Sequence, residues 1–232
     1  HEVLLLQPTR RAKPMPTRPV AGCAGAARSV PFALRASEDH TYLVLSLGLD
    51  PFFWTSAFTG FSAVLGLQVP APEPRPAGLT IELVGLTATH RAEVWLNGAW
   101  LGEAAWSGGH LARLHFDVPV GLLVSGENTV EVRLPQAAGY DALFIEALGL
   151  DYTRRLVAPS GQLAFTARAG SCLEIGGLLG RRPALLDVTD PTRPVHLTGF
   201  ALATAVDGTR RLRFQDPGGD GPRSYLVVDE TA

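Results

Sequence analysis

AEVWLNGAWLGEAAWSGGHLARLHFDVPVGLLVSGENTVEVRL, residues 92–134, holds three runs that alternate with a period of two. Ala92, Val94 and Leu96 alternate with Glu93 and Trp95, and Asn97-Gly98 then supplies the residue pair that a tight hairpin turn needs at positive φ. Ala112, Leu114, Phe116 and Val118 alternate with Arg113, His115 and Asp117. Past Gly126-Glu127-Asn128, Val130, Val132 and Leu134 alternate with Thr129, Glu131 and Arg133. Successive side chains of a strand point to opposite faces, so each run has one face to bury and one to leave in water. These are antiparallel strands with a shared apolar side.

Working outward, Thr41 to Gly48, Ser62 to Val69 and Leu79 to Leu83 read as further strands, and the run PAPEPRPAG between the last two as a loop. Asp50-Pro51-Phe52-Phe53-Trp54 reads as a short helical turn, capped by Asp50 with Pro51 at its first position. Ala142 to Leu150 is apolar almost throughout and predicts a strand covered on both faces. After Asp151 come short strands at Leu163–Ala167, Cys172–Ile175, Ala184–Val188, Val195–Leu202, Arg211–Phe214 and Tyr225–Val228, with Gly, Pro or Asp between them. No sustained helical period or internal repeat occurs. The reading is an all-β chain. Residues 1–40 are an irregular lead-in with a short strand at Val3–Leu6, 41–156 a β-sandwich, and 157–232 a smaller β-sandwich unit.

Composition narrows function mainly by exclusion. The 232 residues contain 25 Gly and 18 Pro, as a turn-rich β protein requires, and the net charge of −2 supplies no field for nucleic acid or an anionic membrane. Lys13 is the only lysine, and arginine pairs such as Arg154-Arg155, Arg181-Arg182 and Arg210-Arg211 are scattered, which reads as codon preference and not as a binding stripe. No apolar run is long enough to span a membrane. Cys23 and Cys172 are too few for a zinc site, and two free thiols are favoured over one disulfide. The chain begins at His1 without a methionine, so its N-terminus is expected to be cut or engineered.

The 92–134 stretch resembles the second half of a jelly-roll sandwich of the galactose-binding-like type, a fold that usually serves as an accessory module. Three further segments occur in a telling order: Leu150-Asp151-Tyr152-Thr153-Arg154-Arg155-Leu156, Gly161-Gln162-Leu163-Ala164-Phe165 and Leu186-Asp187-Val188-Thr189-Asp190-Pro191. With the Asn97-Gly98 hairpin and the Gly126–Val130 strand, they resemble the β-rich region that precedes the catalytic domain in gingipain-like cysteine peptidases, the sortases of the type IX secretion system among them. The resemblance covers residues 40–232. It implies an exported protein of the extracellular space or cell envelope, whose nucleophilic cysteine and general-base histidine sit on an α/β domain further along. The present chain stops about where that domain would begin. It is therefore expected to be a non-catalytic accessory fragment that positions or shields a downstream peptidase domain.

Site candidates are few. Trp95, Trp100, Trp106 and His110 gather around the hairpin and suit a carbohydrate-binding module, in which aromatic faces stack on sugar rings. The competing reading makes them packing residues at the sandwich edge. Asp187 and Asp190 carry oxygens that a structural calcium would use, but an Asx turn before Pro191 is favoured, and no cofactor is expected. Asp216 to Gly221 is Gly-rich without the strand-to-helix setting of a phosphate cradle. His40, His90 and His196 each lack a ligand partner nearby in sequence and read as structural or surface residues. No acid–base pair is visible among Asp50, Asp117, Asp141 and Asp151.

Overall fold

The computed structural model describes residues 14–43, 51–136, 139–217 and 221–229. The expected strand at Val3–Leu6 lies outside them, as do most of Thr41–Gly48 and the loop residues 218–220. The chain forms two compact units, Ser29–Arg155 and a second made from His1–Arg28 with Leu156–Ala232. The first is called the sandwich unit below and the second the small unit. Their limits differ from the segments 1–40, 41–156 and 157–232 read from the sequence. The lead-in contains two strands, β1 (Thr17–Pro19) and β2 (Ser29–Ala36), one for each unit.

The sandwich unit continues with β3 (Thr41–Tyr42), β4 (Phe52–Phe53), β5 (Thr55–Phe58), β6 (Ala63–Val69), β7 (Ala77–Gly85), β8 (Thr89–Leu96), β9 (Ala99–Ser107), β10 (Leu111–Val118), β11 (Gly126–Arg133) and β12 (Ala142–Arg155). One sheet runs β10-β7-β12-β2, with β5 also on β12, and the other runs β6-β11-β8-β9. The alternating runs of the sequence fill the space between them. Val94, Leu96, Phe116, Val118, Val130, Val132 and Leu134 are all buried in one core with Leu65, Leu67, Ile81 and Leu83. This is the jelly-roll sandwich expected. Asn97 and Gly98 have φ of 51° and 79°, the two positive values a primed hairpin turn requires.

β12 is the spine of its sheet, pairing with β7, β2 and β5. A bulge between Ile145 and Ala147 shifts its phase, so that Leu143 and Ile145 face the main core before the bulge, and Leu148 and Leu150 after it. Phe144, on the opposite face, packs with Phe53, Val84 and Leu43, which explains why the strand reads as continuously apolar. The helical turn expected at 50–54 is corrected here. Asp50 lies outside the described residues, and Phe52-Phe53 form a strand paired with β3. Burial of Phe53 against Phe144 (ring centroids 5.1 Å apart) outweighs the local preference of Asp-Pro for a helix start.

The small unit contains β1 and then β13 (Gln162–Arg168), β14 (Cys172–Leu178), β15 (Ala184–Asp187), β16 (Val195–Thr198), β17 (Ala201–Thr204), β18 (Arg210–Gln215) and β19 (Pro222–Val228). Its sheets are β1-β16-β15-β19-β13 and β14-β18-β17. Phe165, Phe214 and Tyr225 are buried between them, with Tyr225 edge-on to Phe214 across the two sheets (5.2 Å between centroids). Val195–Leu202, read as one strand, is two strands in different sheets, and Gly199 at φ 85° makes the corner.

Cys23 and Cys172, expected as free thiols, form a disulfide. Ala27 bridges Leu173 and its N–H donates to the Cys172 carbonyl, so residues 23–27 run beside β14. The 149-residue separation hides this proximity from any reading of spacing.

Two stability tests follow from these cores. Phe116→Ala should cost about 3–5 kcal/mol in urea unfolding, whereas a loss under about 1 kcal/mol would place the ring outside the core. Cys23→Ser with Cys172→Ser should cost about 2–5 kcal/mol, because the bridge restrains a long loop of the unfolded chain. Maleimide labelling of the native protein should require prior reduction.

Candidate functional site

The hairpin of β8 and β9 separates the aromatic candidates by face. His90 lies opposite Trp106, Ala92 opposite Ala104 and Val94 opposite Gly102, all on the inner side. A bulge at Val94/Trp95 then sets Trp95 opposite Trp100. Trp106 is half-buried, packs on the core and stacks on the His90 ring at 4.8 Å. Trp95 points outward, with the Arg133 guanidinium 4.0 Å above its ring. Trp100 is 61% exposed. His110 is an exposed residue of the loop between β9 and β10, its ring over Gly108. The structure therefore brings Trp95 and Trp100 into register and turns Trp106 to the other side of the sheet.

Behind Trp106 lies a polar cluster that the sequence did not reveal. Asp141 Oδ1 is 2.6 Å from His90 Nδ1 and accepts a hydrogen bond from Thr87 Oγ1 at 2.9 Å, while Oδ2 accepts the Arg91 N–H at 3.1 Å. Thr59 Oγ1 accepts the Asp141 N–H. The His90 ring lies so close to Gly85 that any Cβ there would overlap it. Both His90 and Asp141 are buried, so no substrate reaches them, and their role is to tie β8 to the start of β12. A gap of 51 residues separates the pair, which is why nothing near His90 in sequence signals it.

In the small unit, Asp187 ends β15 and accepts both the N–H and the hydroxyl of Thr189, the Asx turn expected before Pro191. Its other oxygen takes Arg18 and Arg223, each at 2.5 Å. Arg18 also reaches the buried Asp216 at 2.6 Å, and the Tyr225 hydroxyl donates to the same carboxylate. Asp190 and Asp207 repeat the turn with Thr192 and Thr209. Two guanidinium groups occupy the side of Asp187 that a calcium ion would need. Among the described residues, no group of three or more His, Cys, Asp or Glu side chains converges as a metal site.

Burial opposes the ionisation of Asp187, but hydrogen bonds from Thr189, Arg18 and Arg223 outweigh it and hold its pKa at about 2. A folded-state pKa below the unfolded value stabilises the fold above about pH 4 and ceases to do so as pH falls through about 2. Asp187→Asn should flatten the stability profile between these limits, seen as a smaller loss of urea midpoint on acidification than in the parent chain.

No protein-family model and no curated protein matches the chain. Among solved structures, dimeric latent PorU from Porphyromonas gingivalis matches over 94% of this chain with a TM-score of 0.64 and 10% identity. The chain spans 22% of that protein's length, and the likeness is one of fold. The CBM36-1 domain of a multidomain xylanase from the hindgut metagenome of Trinervitermes trinervoides matches over 52% of this chain and 96% of its own, at a TM-score of 0.35 and 12% identity.

Proposed function

We propose that this chain is a non-catalytic accessory region of a larger exported gingipain-like cysteine peptidase, in which it positions or shields a catalytic domain that follows it. The fold likeness to latent PorU supports this reading, because its 94% coverage takes in residues of both units. The ordered segments Leu150–Leu156, Gly161–Phe165 and Leu186–Pro191, which resemble the same peptidase group, support it independently. Each segment also has a place in the fold, as the end of the sandwich spine, an edge strand and the Asp187 turn respectively. Each cysteine sulfur is committed to the other, so neither offers the thiolate that a cysteine peptidase needs. A disulfide also suits an oxidising extracellular or envelope compartment.

Carbohydrate binding is the second reading, carried by the outward pair Trp95 and Trp100. A platform needs aromatic faces open to solvent together with polar groups that select hydroxyls, and Arg133 already covers one face of Trp95.

The purified chain should not hydrolyse Arg- or Lys-ending peptides, with or without reductant. Deleting residues 14–229 from the parent protein should sharply lower the yield of folded, active downstream domain. A reading frame with no α/β segment bearing a Cys–His pair after residue 232 would overturn the proposal. Saturable glycan-array binding lost in Trp95→Ala or Trp100→Ala, with folding intact, would put the carbohydrate reading first.

A further inference from the structure

The small unit carries a surface that neither packing nor the accessory role accounts for. Beside β17 lies an open cleft of about 410 Å³, lined by Leu197, Phe200 and Leu202 with Arg181, Arg182 and His196. Leu202 pairs with the buried Leu212 of β18, yet it is itself 37% exposed. Apolar surface and a basic rim thus occur together.

β17 is also an edge strand, and an unguarded one. Among the described residues it pairs only with β18, all four of its residues are exposed, and Ala201-Leu202-Ala203-Thr204 holds no charge and no proline. Edges of this kind are usually blunted, since their unpaired N–H and C=O groups invite another strand. Two of the other edges in the small unit are: β1 carries Arg18 and Pro19, and β14 is bridged by Ala27 on one side, with Gly176 near its end bridged by Val157.

The charge at the rim is equally specific. Arg18, Arg28, Arg213 and Arg223 each sit on a carboxylate, whereas Arg181 and Arg182 have no such partner among the described residues. Their position is built. Asp229, buried beneath, accepts the N–H groups of both Leu179 and Gly180 at 2.5 Å and fixes the turn that presents the two arginines. Gly180 is required there, because a Cβ would collide with the Asp229 carboxylate.

We propose that β17 and its cleft dock an extended acidic peptide, which adds a strand to the edge of β17, rests one apolar side chain on Phe200 and Leu202, and reaches Arg181 and Arg182 with flanking carboxylates. Side chains at i and i±2 of a strand share a face, so an apolar residue between two acids two positions away meets both features at once. Main-chain hydrogen bonds supply affinity and the alternate side chains supply selection, as in other strand-addition complexes. This assignment stands whether or not the chain serves a peptidase.

The probe is the capped pentapeptide Asp-Thr-Leu-Thr-Glu, titrated into the whole chain while backbone amide shifts and hydrogen exchange are followed. Shifts and slowed exchange are expected at Ala201–Thr204, with binding that weakens as salt is added. Arg181→Glu with Arg182→Glu, both exposed, should raise Kd by about tenfold or more, a loss of about 1.4 kcal/mol or greater. Leu202→Lys should do likewise, and Lys-Thr-Leu-Thr-Lys should not bind. Equal binding of the lysine peptide, or unchanged affinity in the double variant, overturns the proposal. Glutarate shifting the same amides as strongly would show a small-anion site, and undiminished binding of a backbone N-methylated peptide would exclude strand addition. Either result also overturns it.

Discussion

The small unit is made from two stretches of chain that the entire sandwich unit separates, so its integrity depends on holding residues 14–28 to residues 156–229. The β2–β12 pairing supplies this closure. Ser29 and Arg155, the first and last residues of the sandwich unit, are register partners, and Leu156 N–H donates to the Arg28 carbonyl at 2.7 Å just beyond them. An inserted domain whose ends meet in one ladder no longer acts as a floppy loop, and the entropy of loop closure grows only slowly with length in any case. β1 then lies parallel to β16, an arrangement that needs a long crossover and receives one in the form of a folded domain.

Charge reinforces the same junction. Arg18 reaches from the first stretch to Asp187 and Asp216 in the second, Arg28 reaches Glu174, and Cys23 is bonded to Cys172. Glu174 is buried on β14 beneath Arg28 and Arg213. Hydrogen bonding by Arg213 outweighs burial there and holds its pKa below the ordinary carboxylate value. Removing one partner from such a pair leaves a charge stranded out of water, which costs far more than the intact pair contributes. The clamps therefore specify which two stretches belong together more than they add to overall stability.

Legibility in the sequence followed the range of the interactions. Strands whose inner face is set by alternation were readable: Val94, Phe116 and Val132 are inward as their phase requires, and the positive φ of Asn97 and Gly98 follows from their identities. The doubly covered character of β12 was readable from its apolar run, although its bulge was not, because one extra residue leaves no mark in composition. β2 was hidden by Pro31 and Arg35, which an edge strand tolerates. The split at Gly199 was hidden because the residues on either side of it keep strand-like character. Long-range pairings, His90 with Asp141 and Cys23 with Cys172, left no local signal. Of the candidate site, the outward phase of Trp95 was legible, while the inward turn of Trp106 depended on its register with His90.

A fold shared with latent PorU at 10% identity shows how little of a sandwich is written in particular residues. Alternation, turn residues and a few buried charge clamps suffice, and any apolar side chain of suitable volume serves in the core. The fold consequently says little about binding, which must be sought in residues that packing does not explain. In the small unit, Arg18, Arg28, Arg213 and Arg223 balance buried acids. The scatter of arginines along the sequence thus resolves in three dimensions into structural cations and a remainder. Arg181 and Arg182 belong to that remainder, held by Asp229 at the mouth of an apolar cleft and next to a strand edge without a guard. An exposed arginine pair beside an apolar cleft and an uncharged strand edge contributes nothing to packing, which leaves recognition as the physical rationale of that combination.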